Sequence, residues 1–333
     1  MSAPPRGVLG VWTVLLLLFF GGVGLALWLG SGQEQGALEQ TLFRLRLWRV
    51  LNACLAGAAL AVGGVLVQGL FRNPLASPSI LGTTAGASLG GMLVMVAWEG
   101  LLAAVLPGFL PPELLLPLGC LLGAWGALML LLLVSGRNPG MVATLLTGFI
   151  LSSLFLSVGG LMMSIAQDNW ELGRAVVAFT LGGIDTKGAR HVALAFPLVA
   201  AGLAAGMGWS RHLDVLLAGE DEAASLGVNV PRVRRWVIVW TATLTAAAVA
   251  IGGGLSFVGL VVPHGLRPFL GAGHRRLLPA AAVGGAAFVL WADLIVRLAP
   301  TTGALPLGVV TGLVGAPVFL FLLARAARQG RLG

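Results

Sequence analysis

Apolar residues run along this chain in long blocks, separated by short polar, proline-rich or charged breaks. The blocks fall near residues 8–30, 50–70, 79–98, 113–135, 141–165, 191–209, 235–255, 256–270, 277–298 and 306–324. Most approach the roughly 20 residues that a helix needs to cross a bilayer. The pattern predicts an all-α polytopic membrane protein of about ten transmembrane helices, in one transmembrane domain over residues 1–333. The shortest block, 256–270, follows Gly252-Gly253-Gly254, a run that suits a tight reversal. The first block has a superficial likeness to a signal peptide. Its apolar run from Val8 to Leu29 is too long for one, and no Ala-x-Ala site follows, so it reads as the first span.

Ten spans put both termini on one side of the membrane, and the basic residues say which. With the termini inside, 13 of the 20 Lys and Arg fall on inner segments. Arg44, Arg46, Arg49, Arg174, Lys187, Arg190 and Arg297 fall outside. The positive-inside rule therefore places both termini in the cytoplasm. Outside the spans, residues 31–49 and 166–190 form outer segments, residues 71–78 an inner turn, and residues 210–234 the longest inner loop.

Composition sharpens this. With 58% hydrophobic and 10% charged residues, the chain is far from the roughly 45–50% and 25% of soluble domains. That excludes an ordinary soluble enzyme, a disulfide scaffold and a disordered chain. The net charge of +8 comes from arginines scattered among spans, so it reflects topology and implies no nucleic-acid partner. The one lysine, Lys187, lies between Thr186 and Gly188. A phosphate-binding G-x-x-x-x-G-K-[ST] loop is therefore absent, and any ATP chemistry belongs to a partner. Cys54 and Cys120 sit in apolar stretches, and the four histidines are dispersed, which predicts no metal and no cofactor. The 50 glycines include helical repeats such as Gly82, Gly86, Gly90; Gly119, Gly123; Gly202, Gly206; and Gly308, Gly312 with Ala316. Small residues one turn apart let helices cross closely in lipid.

The inner loop carries the clearest chemistry. It reads Leu216-Leu217-Ala218-Gly219-Glu220-Asp221-Glu222-Ala223-Ala224-Ser225-Leu226-Gly227. Three acids favour a helix N-terminus, Gly227 is placed to end the helix, and Pro231 suits the first turn of the next. A short surface helix with Leu216, Leu217 and Leu226 left over fits a partner's groove better than it fits a linker.

Five ordered motifs then carry a family resemblance over essentially the whole chain. They are Arg46-Leu47-Trp48-Arg49-Val50-Leu51, Gln68-Gly69-Leu70-Phe71-Arg72-Asn73-Pro74-Leu75-Ala76, the 217–227 helix, Gly259-Leu260-Val261-Val262-Pro263-His264-Gly265-Leu266-Arg267, and Leu305-Pro306-Leu307-Gly308-Val309-Val310-Thr311. The sequence resembles FecCD-type permeases of bacterial ATP-binding-cassette (ABC) importers for iron-siderophore, haem and cobalamin. The resemblance implies a permease homodimer in the inner membrane, two ATPase subunits at its cytoplasmic face, and a periplasmic or lipid-anchored binding protein outside. It implies that Ala218, Gly219, Glu220, Asp221, Glu222, Ala223, Ala224, Leu226 and Gly227 form the ATPase-coupling helix. Arg46, Arg49 and Arg297 would meet the binding protein, and Asn73, Leu75, Gly140 and Met141 a cytoplasmic gate. Pro263, His264 and Arg267, with Asp293, read as structural; Asp293 is one turn before Arg297, an i,i+4 ion pair.

The expected function is thus the non-enzymatic permease of an importer, with ferric siderophore as cargo and cobalamin or haem as alternatives. A different class, an ion-coupled secondary transporter, would need several ionisable groups within the spans. Asp293 is the one acid found there, and Glu99 and Glu113 sit at span ends.

Overall fold

A computed structural model describes residues 6–29, 37–98, 112–135, 141–299 and 305–328. Among these residues there are twelve α-helices and one 3-10 turn, and no strand. In chain order the helices are α1 Arg6–Trp28, α2 Ala37–Leu70, α3 Thr83–Ala97, α4 Pro112–Ser135, α5 Met141–Ala166 and α6 Trp170–Leu181. They continue as α7 Ala189–Leu216, α8 Glu220–Ser225, α9 Val230–Gly252, α10 Val258–Leu270, α11 His274–Leu298 and α12 Leu307–Arg328. Each of the ten apolar blocks became a helix. Seven of these are long and apolar enough to cross a membrane, while Thr83–Ala97 and Leu307–Leu322 are shorter. The third block is divided, because a 3-10 turn at Pro78–Leu81 precedes α3.

The helices form a centre and a wrapping. Over their most apolar stretches α2 and α9 are 78% buried and α11 61%, whereas α1 is only 11% buried. The outer helices leave large apolar side chains uncovered, such as Leu17, Leu133 and Phe149. A protein in water would bury these; a lipid-facing helix presents them.

The most extensively packed pair is α2 with α11, and glycine makes it possible. A Cβ on Gly57 would strike the backbone of Gly285, and one on Gly285 would strike Gly57. A Cβ on Gly64 would strike the backbone of Gly259 of α10, and one on Gly259 would strike the Leu60 carbonyl one turn earlier on α2. The repeats in α3 and α4 work likewise, with Gly86 and Gly90 against Gly123 and Gly119. In the α12 repeat Gly308 packs against the backbone of Gly254 and Leu181, whereas Gly312 meets nothing within 4 Å.

Two expectations need correction. Residues 37–49 are not an extramembrane loop but the first turns of α2, a helix of 34 residues. At about 1.5 Å per residue it extends to roughly 50 Å, far more than the hydrocarbon core. Residues 166–190 also hold a helix, α6, which is amphipathic and too short to register as an apolar block. Its residues Gly173, Val176 and Phe179 are buried, and Asn169 caps it by accepting from the Glu171 and Leu172 amides at 3.0 and 3.2 Å. An Asn before an acidic first turn was the sequence signal for that start.

Candidate functional site

Two polar clusters mark opposite ends of α11. His274 begins the helix, and Asp293 lies 19 residues further on. At 1.5 Å per residue they are about 28 Å apart, close to the thickness of a hydrocarbon core.

At the His274 end stands the loop singled out from the sequence. α7 runs on to Leu216, whose side chain is 1% exposed. Leu216 therefore anchors the loop and is not displayed, contrary to expectation. The chain turns at Gly219, φ +143, and forms the six-residue α8 with Glu220, Asp221 and Glu222 in its first turn. Ala223 is buried, while Glu222, Ala224 and Gly227 are exposed and Leu226 is 72% exposed. Gly227, at φ +83, stands just past the C-cap Leu226. Arg234 of α9 holds α8 from the side, with Nη2 donating to Glu220 Oε1 at 2.7 Å. Asn229 accepts from the Arg232 amide at 3.0 Å and starts α9, where Pro231 occupies the first turn.

Beneath this loop, Asp214 of α7 takes two bonds from His274: its backbone amide at 2.8 Å and its Nδ1 at 2.7 Å. One carboxylate thus caps α11 and fixes a fully buried imidazole. The ring packs on Gly69, where any Cβ would strike Nε2. Next along α2, Gln68 accepts from Arg267 Nη2 at 3.0 Å. Treating the histidines as dispersed missed this contact, because Asp214 and His274 are 60 residues apart. His264 is half-buried with its ring edge-on to Phe319 at 6.0 Å, and its Nδ1 has no hydrogen-bond partner. Pro263 is buried within α10.

Of the four gate candidates, Asn73 and Leu75 make an Asx turn, with the Leu75 amide donating to Asn73 Oδ1 at 2.9 Å. Gly140 lies outside the described residues. Met141 is the first residue of α5, and its side chain is also outside them.

At the other end, Asp293 is fully buried and meets two arginines. Arg297 Nη2 is 2.7 Å from Oδ2, the expected i,i+4 pair. Arg49 of α2 adds Nε at 3.0 Å and Nη2 at 2.8 Å to Oδ1. Arg297 also donates through Nη1 to the Ala26 carbonyl of α1 at 3.0 Å. The triad therefore joins α1, α2 and α11. Arg46 lies one turn before Arg49 on α2, half-buried.

This triad forms one wall of a cavity of about 940 Å³. α6 also lines it, with Trp170, Arg174 and Leu181, as do Leu305, Pro306 and Leu307 at the start of α12. A glycine junction sets the base. Gly183 donates to Gly252 at 3.2 Å, and Leu307 to Gly182 at 2.9 Å. The Gly182-Gly183 and Gly252–Gly254 runs thus meet, with Gly182 at φ +84 and Gly253 at φ +63. Lys187, just beyond, is half-buried; burial holds its ammonium below the usual lysine range, and Asp185 pulls the other way. No group of three His, Cys, Asp or Glu able to hold a metal occurs among the described residues.

Comparison with known proteins follows the same lines. Residues 9–325 match the model of the FecCD transport family. The chain is 39% identical over 285 residues to the Fe(3+) dicitrate transport system permease protein FecD of Escherichia coli (strain K12), covering 85% of each. It is 35% identical to the hemin transport system permease protein HmuU of Yersinia pestis, over 98% of this chain and 97% of that one. A solved structure described as an inward-facing conformation of a metal-chelate type ABC transporter superposes with a TM-score of 0.82 at 31% identity. It covers 95% of this chain and 99% of its own.

Proposed function

The chain belongs to the FecCD transport family, and from that premise we propose how its two ends serve an ATP-driven importer. It is the transmembrane permease of such an importer, with ATP hydrolysed on a separate subunit. Its cargo is an iron chelate of the ferric-siderophore type, by analogy with the ferric dicitrate permease; haem and cobalamin carriers share the fold. Two copies assemble in the inner membrane with their termini in the cytoplasm, two ATPases below and a binding protein outside.

The observation that carries this reading is α8. A six-residue helix is too short to be stable alone. Here Arg234 and the buried Ala223 and Leu216 hold it, while Ala224 and Leu226 are left uncovered. That is the form of a helix seated in a partner's groove. Movement of α8 with the ATPases would pass to α7 and, through Asp214 and His274, to α11. The ion-coupled alternative would rely on Asp293, but that carboxylate is held by two guanidiniums. At the other face, Arg46 with the exposed side of Arg49 and Arg297 would meet acids of the binding protein.

Paired substitutions Ala224→Trp and Leu226→Asp alter only exposed side chains. They should leave the permease folded and abolish copurification with its ATPase; undiminished copurification overturns the docking role.

A further inference from the structure

The cavity between α6 and the Asp293 triad has a charge bias that ATPase coupling does not use. Its volume of about 940 Å³ is near the top of the roughly 300–1,000 Å³ range of small-molecule sites. Arg49, Arg174 and Arg297 line it against Asp185 and Asp293, an excess of one positive charge. Placement matters more than the total. Asp293 is fully buried and bonded to two arginines, so it repels little. Arg49 commits Nε and Nη2 to that bond and leaves Nη1 outside it. On α6, which lines the same cavity, exposed Arg174 has no carboxylate partner among the described residues. Its guanidinium lies 5.8 Å from the Trp170 ring centroid. A guanidinium held over an indole keeps its planar donors directed outward, which suits a carboxylate. A lone surface arginine would carry no such weight; two arginines lining one ligand-sized cavity beside an aromatic plane do.

We propose that this cavity receives an anionic, carboxylate-bearing ferric chelate, with its oxygens between Arg174 and Arg49 and its body against Trp170 and Leu181. The inference rests on the importer reading and narrows its cargo. A neutral ferric trihydroxamate or cobalamin has no carboxylate for the two guanidiniums, so the cavity selects against them.

The test uses the permease with its ATPase in nanodiscs and measures equilibrium binding of radiolabelled ferric citrate and of a neutral ferric trihydroxamate. Ferric citrate should bind, more weakly as salt rises, and the neutral chelate should not. Arg174→Gln should weaken ferric citrate by about tenfold, since bonds between charged partners contribute about 1.5–3 kcal/mol; Arg174→Lys should weaken it less. Asp185→Asn should act oppositely and tighten binding by about twofold, the Coulomb effect of one exposed charge. Equal binding of both chelates, no binding of ferric citrate, or affinity unmoved by both Arg174→Gln and Asp185→Asn overturns the inference. Recruitment of the ATPase by the wild-type permease is scored in the same preparation. Its absence overturns the importer reading, whereas a complex that assembles but does not discriminate overturns only the cavity's role.

Discussion

Asp293 illustrates how much one residue's partners decide. A carboxylate within a span is costly unless paired, and the i,i+4 spacing to Arg297 was visible because helix periodicity is local. Arg49 was not visible as a partner: it lies 244 residues away, and no local rule links α2 to α11. The pairing also changes what these arginines can do, since a guanidinium bound to Asp293 has only its remaining face for an outside partner. Asp293→Asn leaves two mostly buried guanidiniums without a counter-charge, a loss of about 3–5 kcal/mol by precedent for broken buried pairs. Arg49→Gln leaves Arg297 to neutralise the acid. Thermal unfolding in detergent should therefore drop much further for Asp293→Asn than for Arg49→Gln; the reverse order would refute the triad.

At the scale of elements, helix existence was legible and helix contacts were not. Apolar blocks located ten helices, yet α6 escaped because its buried positions are few and include a glycine. Small-residue repeats pointed to close crossings, and Gly86–Gly90 against Gly119–Gly123 is such a crossing. Gly57 and Gly285 were not singled out, although Ala53, Gly57 and Ala61 are spaced one turn apart and the two glycines support the most extensive helix pair. Gly57→Ala drives a Cβ into the Gly285 backbone and should destabilise by about 1–3 kcal/mol or more. Gly312→Ala, in open space, should leave the melting temperature nearly unchanged. Asp214→Ala removes the cap of α11 and orphans buried His274 Nδ1, a cost of about 1–3 kcal/mol. Limited proteolysis should then cut the α7–α9 loop faster than in the wild type, and an unchanged rate would show that the cap does not steady it.

For the whole molecule, the two polar clusters about 28 Å apart on α11 define the slab that the bilayer fills. This axis sets Arg174 and the cavity on one side of the membrane and α8 on the other. In a background lacking Cys54 and Cys120, a cysteine replacing Arg174 should react with an impermeant thiol reagent from outside intact cells. One replacing Ala224 should react only after the inner face is opened. The opposite pattern would invert the topology and with it the assignment of both faces.

The amino-acid order alone determined that this chain lives in a membrane, where its main apolar helices fall, and that a short acidic helix interrupts the loop before residue 230. These follow from interactions along one helix or from transfer to lipid, where each residue's contribution is nearly independent of the rest. The tertiary structure alone decided which distant residues share a charge, which glycines touch, and that α6 and the Asp293 triad line one cavity. Those outcomes depend on which helix faces meet, and that is set by packing summed over the whole bundle.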